Sequence, residues 1–356
     1  MLDKVLDLYT DYLISQNKHA TSTGLSEIVD GEISHDKITR FLNSNNFGSR
    51  ELWQYVKQTV KKHQSKDNVL TLDDSIEEKP NTDENEIICW HYSHAKGTHV
   101  KGINILSCTI SNEQITLPVG YEIVRKDKEY YDEEEQKYKR RASISKNERF
   151  RELITNAIKN GIIFKYILAD NWFCAKDNIN YIHHDLNKKF ILGLKSNRLI
   201  SLNNIDRKNK RYTKIKELQK SDGDIKKVWL KDVNFPILLC KKVFINENGR
   251  KGELYLISND LDLNSRELYK VYQKRWRIEE YHKSIKQNTS LAKSPTKVEK
   301  SQRNHIFCSL VAFCKLEMLK VKTNLNHFAI KYKLILKANL TSLQELRNIA
   351  SQYHTA

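Results

Sequence analysis

The sequence predicts a mixed α/β fold, a sheet with helices on its faces, preceded by a helical N-terminal domain. Three observations predict it. Residues 1 to about 65 read as helical. Three consecutive strand patterns follow, and then strand and helix patterns alternate. Consecutive strands leading into βαβ units imply a mixed sheet flanked by helices.

In the N-terminal region, Leu2, Val5, Leu6, Leu8 and Tyr9 form a first apolar face. Residues 23–29 and 34–42 read as short helices joined by Asp30-Gly31-Glu32-Ile33. Ser34 is the N-cap of the second, Ile38, Phe41 and Leu42 face inward, and Lys37 and Arg40 face outward. Helix, glycine turn and helix is the form of a DNA-reading motif, and also of a small packing domain. Residues 51–62 read as a further helix.

The sheet begins with Val69-Leu70-Thr71-Leu72, a short apolar strand ending at Asp73-Asp74-Ser75. Residues 100–110 and 114–124 are two more strands, the first split by Gly102, and a charged, linker-like stretch follows. Ser145-x-x-Glu148 is a capping box. It opens a helix with Phe150, Leu153, Ile154, Ala157 and Ile158 on one face and Gly161 as its stop. Residues 162–169 form a strand ending at Asp170, 177–186 a helix and 190–194 a strand. Residues 199–262 break the rhythm and read as a β-rich insertion. It has a short strand at Val228-Trp229-Leu230 and two strands, 237–245 and 253–258, around a hairpin loop at 246–252. Residues 266–287 read as one long helix. Residues 301–320 form another, with Ile306, Leu310, Phe313 and Leu319 inside; the remainder is mixed. The expected domains are 1–65, helical and DNA-binding; 66–198, the first core segment; 199–262, the insertion; 263–322, the second core segment; and 323–356, a C-terminal region.

Composition narrows the partners. The 356 residues are 39% hydrophobic and 29% charged, a globular balance, with a formal charge of +17. Such a charge favours an anionic partner, most commonly nucleic acid. A Lys- and Asn-rich composition from an AT-rich genome produces the same excess. Lys137, Lys139, Arg140 and Arg141 cluster after an acidic run at 132–135, and nine Lys/Arg stand against three Glu between residues 274 and 303. The six cysteines form no C-x-x-C pair, and the N-terminus has no signal-peptide core. The longest apolar run, 306–314, falls short of the roughly 18 residues of a membrane span. The expectation is a cytoplasmic protein with reduced thiols and no membrane segment.

Three carboxylates stand out by position. Asp73 and Asp170 end strands, where a rigid sheet can aim them. Glu279 lies on the long helix with Tyr272, Arg275, Lys283 and Lys286, at steps of 3, 4, 4 and 3 that put all five along one face. An ordinary solvated face with a Glu279–Lys283 ion pair accounts for the spacing. It does not account for one acid among three bases beside an aromatic. Three converging carboxylates bind two Mg²⁺ or Mn²⁺. A metal pair about 3.5–4 Å apart suits in-line phosphoryl displacement. The neighbouring Arg and Lys side chains then suit phosphates.

These residues resemble the bacterial insertion-sequence transposases of the DDE type. The likeness is to the insertion-sequence-four-like group marked by a Y-(2)-R-(3)-E-(6)-K signature, which Tyr272, Arg275, Glu279 and Lys286 meet without a gap. The resemblance runs from about residue 66 to 320. It implies a ribonuclease-H-like core with the β-rich insertion before the Glu-bearing helix. It implies Asp73, Asp170 and Glu279 as catalytic metal ligands holding two Mg²⁺ or Mn²⁺ per site. A D-x-T pattern matches as Asp73-Asp74-Ser75, and Asp74 stays open as the first ligand, although neighbouring strand residues face opposite ways.

The resemblance further implies cleavage of double-stranded DNA at terminal inverted repeats, joining to target DNA, and a homodimer in a paired-end complex, nucleoid-associated in a bacterial cytoplasm. Tyr272, Arg275, Lys283 and Lys286 become DNA-binding residues, as do Lys195 and Arg198 after the fifth strand. Tyr255, with Trp229 as the alternative, matches an aromatic that stacks on a base; both also fit as core aromatics. Two rivals stay open: a nuclease on the same core that cuts without joining, and a DNA-binding regulator or inactive copy. Cys89, His91, His94 and His99 have poor spacing for zinc. The sequence has no P-loop and no Gly-x-Ser-x-Gly elbow.

Overall fold

The computed structural model describes residues 4–218, 221–245, 249 and 251–354, with side chains described to residue 351. Leu2 and hairpin-loop residues 246–248 and 250 lie outside the described residues. In chain order the elements begin with helices α1 (Lys4–Ser15), α2 (Ser22–Ile28), α3 (His35–Ser44) and α4 (Ser49–Lys62). Strands β1 (Val69–Glu78), β2 (Cys89–Ser93), β3 (Thr98–Ser111), β4 (Thr116–Ile123), β5 (Lys128–Asp132) and β6 (Lys137–Arg141) follow. Next come α5 (Lys146–Lys159), β7 (Tyr166–Ala169), α6 (Lys176–Asn180), β8 (Lys189–Leu194), β9 (Leu199–Ser201), α7 (Asn204–Lys208) and β10 (Thr213–Lys214). The chain ends with β11 (Ile225–Leu230), β12 (Ile237–Ile245), β13 (Lys251–Ser258), α8 (Ser265–Gln273), α9 (Trp276–Asn288), α10 (Glu299–Thr323) and α11 (His327–His354).

Two compact units share the chain: residues 1–55, 77–102 and 281–356 in one, residues 56–76 and 103–280 in the other. The second unit is built on a mixed sheet in the order β4-β3-β1-β7-β8-β13-β12-β11-β9-β10. β1, β7 and β8 are parallel neighbours. Val69 through Leu72 are all buried, as a central strand covered on both faces requires. The order β4-β3-β1-β7-β8 is consistent with a ribonuclease-H-like core. The β-rich insertion continues that sheet, because β13 pairs antiparallel with β8 and covers the backbone groups of what would be its edge. Helix α5 opens with the expected capping box, and Phe150, Leu153, Ile154 and Ala157 are buried.

The first unit joins the N-terminal helices to α10. Tyr9 and His305 hydrogen-bond at 3.0 Å, and the rings of Phe47 and Phe307 stack at 4.3 Å. The buried amide of Asn304 donates to the carbonyls of Leu42 and Asn45, each at 2.7 Å. Ser34 caps α3 by accepting from the Lys37 N–H, with Lys37 and Arg40 exposed. β2 pairs with the first residues of β3. Among the described residues no helix is long and apolar enough to cross a membrane.

Several elements differ from the sequence reading. β1 continues past Asp73 to Glu78, and the charged stretch after β4 contains the β5–β6 hairpin. The expected helix over 177–186 is α6 followed by a π-helical turn at Tyr181–Asp185. The C-terminal region is one 28-residue helix, α11. The expected helix over 266–287 is two helices, α8 and α9, divided at Lys274-Arg275. At this joint the hydrogen bonds tighten to three-residue steps, Arg275 N–H to the Tyr272 carbonyl at 2.9 Å and Ile278 N–H to the Arg275 carbonyl at 3.0 Å.

Candidate active site

The parallel register of β1 and β7 decides where two carboxylates meet. Val69 faces Tyr166, Leu70 faces Ile167 and Thr71 faces Leu168. The same offset sets Asp73 beside Asp170, the first residue after β7. Glu279 comes from α9, with a carboxylate oxygen within 4.8 Å of one on Asp73. All three acids belong to the second compact unit.

The turn between α8 and α9 delivers the cation. Nη1 of Arg275 lies 3.4 Å from Oδ2 of Asp73 and 3.0 Å from Oε1 of Glu279. Tyr272 is buried at the end of α8, with the Arg275 guanidinium 5.7 Å from its ring centre. β8 makes room for it at Gly193. A Cβ there would stand 2.9 Å from the Asn171 nitrogen and 3.1 Å from the Tyr272 hydroxyl. Only glycine lets both come so near the strand.

Electrostatically the site is short of positive charge. Asp73 is pushed up to about 8, first by burial, then by the charges of Asp170 and Glu279, with Arg275 pulling the other way. Asp170 is raised chiefly by burial, against the Trp172 N–H that donates to its Oδ1 at 2.9 Å. Tyr272 is pushed up to about 12, again mainly by burial. One guanidinium shared between two carboxylates does not offset three of them. Hard oxygen donors crowded this way fit a divalent cation.

Asp74 points elsewhere. Its Oδ2 accepts from Nδ2 of Asn104 at 2.5 Å and pairs with Nζ of Lys146 at 3.1 Å. Its backbone N–H donates to Oδ1 of Asp73 at 2.9 Å.

Of the residues the sequence singled out, Asp73, Asp170, Glu279, Arg275 and Tyr272 come together. Lys195 is exposed after β8, and Arg198 is half-buried. Lys283 is exposed on α9, its ammonium 5.3 Å from the Phe328 ring centre. Lys286 is half-buried two turns beyond Glu279. Tyr255 is buried in β13, where its hydroxyl donates to Glu253 at 2.8 Å. Trp229 is half-buried on β11. Around the weighed zinc motif, the Tyr92 ring packs edge-on against both His94 and His99, and Cys89 donates to the Asn85 carbonyl. Sequence reasoning missed Gly193, Asn104, Lys146 and Trp172. Trp172 follows Asp170 by two residues, and Lys146 was absorbed into the capping box.

Two family models match the chain. One, described as a DDE superfamily endonuclease, matches residues 3–217; the other, described as a transposase DDE domain, matches residues 136–314. Among solved structures the chain is similar to one titled Drosophila P element transposase strand transfer complex. The identity is 9% and the TM-score 0.26, over 53% of this chain and 37% of that one. No curated protein matches it.

Proposed function

The chain belongs to the DDE transposase family, and on that premise we propose that it cuts DNA at the terminal inverted repeats of its own element and joins the freed 3′-OH to target DNA. The observation that carries this reading is the crowding of Asp73, Asp170 and Glu279 with one shared guanidinium, which leaves Asp73 pushed up to about 8. Those three residues would hold two Mg²⁺ or Mn²⁺. Bound there, the ions supply the positive charge that stabilises the attacking and leaving oxygens of an in-line displacement.

The rest falls to the chain's own groups. Arg275 moves its guanidinium from the carboxylates to a phosphate oxygen once they are otherwise compensated. Lys283 and Lys286 continue the grip along α9, and Lys195 and Arg198 hold the strand beyond β8. Tyr272 sets the terminal backbone beside Arg275. Asp73 rather than Asp74 is the first ligand, because Asp74 is engaged by Asn104 and Lys146. Two copies act together in a paired-end complex, since each carries one such site and two ends must be cut. The Y-(2)-R-(3)-E-(6)-K spacing supports reading the chain as one of the insertion-sequence-four-like group.

The test is a gel assay on the end-labelled element terminus, with Mg²⁺ or EDTA, wild type beside Asp170→Asn. Mg²⁺-dependent cleavage at the end, lost in the variant, is expected. Cleavage in EDTA, or by the variant at the wild-type rate, would overturn the assignment. Adding unlabelled target DNA separates a joining enzyme, which yields strand-transfer products, from a nuclease that yields only cut ends.

A further inference from the structure

Lys146 makes two contacts. Its ammonium lies 3.1 Å from Oδ2 of Asp74 and 4.0 Å from the ring centre of Trp172. Each of these two partners also donates a backbone N–H to one of the aspartates: Asp74 N–H to Oδ1 of Asp73, and Trp172 N–H to Oδ1 of Asp170, both at 2.9 Å. Asp74 belongs to β1 and Trp172 follows the end of β7, so the two contacts bridge the elements that carry Asp73 and Asp170. The bridge is rigid at each end. Lys146 is the first residue of α5, fixed by the Ser145–Glu148 capping box. The Trp172 ring packs edge-on against Phe173, which stacks on Phe150 of α5 at 4.9 Å. Asn104 of β3 donates to the same Oδ2 of Asp74 at 2.5 Å.

We propose that Lys146 is a positioning residue that staples the middle of β1, where Asp73 and Asp74 lie, to the end of β7, and so sets the separation of the Asp73 and Asp170 carboxylates for their cations. The inference rests on the reading of those carboxylates as metal ligands. A cation with a preferred ligand geometry is sensitive to that separation, and losses of such supporting contacts cost roughly ten- to a hundredfold in metal affinity.

The sign of the effect separates this role from simple electrostatics. Removing the positive charge beside Asp74, next in the chain to Asp73, would by Coulomb's law alone tighten cation binding. Loss of a staple weakens it. The experiment measures Mn²⁺ binding to the free protein by electron paramagnetic resonance, for wild type, Lys146→Met, Lys146→Arg and Asp170→Asn. Lys146→Met keeps the alkyl packing and is expected to bind Mn²⁺ about tenfold more weakly, at an unchanged unfolding midpoint in EDTA. Lys146→Arg, which keeps both the ion pair and the ring contact, is expected to recover most of the loss. Unchanged or tighter binding by Lys146→Met would overturn the proposal. A weakening matched by a lower unfolding midpoint and not recovered by Lys146→Arg would overturn it too. If wild type and Asp170→Asn bind Mn²⁺ alike, the metal-site reading itself fails, which is a different result.

Discussion

The two ends of the same parallel strands treat buried carboxylates in opposite ways. At one end, Asp73 and Asp170 lie side by side with Glu279 close to Asp73, and one guanidinium is shared between Asp73 and Glu279. At the other, Asp260 is as little exposed as Asp73 but fully engaged. It accepts from the Tyr166 hydroxyl at 2.6 Å and pairs with Lys189 at 2.8 Å. Burial works to raise its pKa, yet Lys189 and Tyr166 hold it below the usual carboxylate range. Asp73 goes up and Asp260 goes down although little of either is exposed; Asp73 is the more deeply desolvated, and Asp260 is the one with its charge paired. A buried acid with its partners supplied by the chain serves the fold. A cluster with too little positive charge of its own suits a cation from outside, as the proposed function requires.

The largest expected effect separates the two ends by function. Glu279→Gln should bind the element end as wild type does in a mobility-shift assay but cut it at least about a thousandfold more slowly, or about 4 kcal/mol of barrier. Gly193→Ala comes next. Its Cβ would press on the Asn171 nitrogen and displace Asp170 or Tyr272. Cleavage should fall by roughly a hundredfold, the cost of about 1 Å of misplacement, while circular dichroism stays unchanged. Asp260→Asn should do the reverse, lowering stability in chemical denaturation by about 1–3 kcal/mol and leaving cleavage per folded molecule intact.

A pH dependence follows from the same contrast. Folded Asp73 titrates near 8, and an aspartate in the unfolded chain near about 3.9. Without metal, the folded state therefore holds an extra proton between these values. The stability this contributes is fully present below about 4 and lost as pH rises through 8. Asp260, lowered instead, contributes the opposite slope: its share is present above the unfolded value and lost as pH falls through the folded one. Metal binding must also displace the Asp73 proton, so the Mg²⁺ concentration needed for half-maximal cleavage should fall as pH rises from 7 toward 8.

The residues of the crowded end could be read in the sequence, for identifiable reasons; the Asp260 end could not. Asp73 and Asp170 follow apolar β patterns, and Glu279 sits at a helical spacing from Arg275; both periods survive without tertiary information. The break between α8 and α9 was invisible because no Gly or Pro marks Lys274-Arg275. Asp74, one residue from Asp73, was separable only once Lys146 and Asn104 were seen to engage it. Lys146 is 72 residues away along the chain, and no local pattern connects them. The C-terminal helix escaped for another reason. Leu336, Leu340, Leu343 and Leu346 do recur at helical steps of 4, 3 and 3, but all are exposed, so no packing against the core accompanies the pattern.

The most direct test of the contrast is thermal unfolding of wild type, Asp73→Asn and Asp260→Asn near pH 8, in EDTA and in excess Mn²⁺. Removing a charge from the crowded end should raise the EDTA midpoint for Asp73→Asn, and removing one from the satisfied end should lower it for Asp260→Asn. Mn²⁺ should raise the midpoint of wild type and Asp260→Asn and leave Asp73→Asn nearly unmoved. If Asp73→Asn instead unfolds earlier than wild type in EDTA and still gains from Mn²⁺ as wild type does, the crowded carboxylates are a structural cluster and not a cation site.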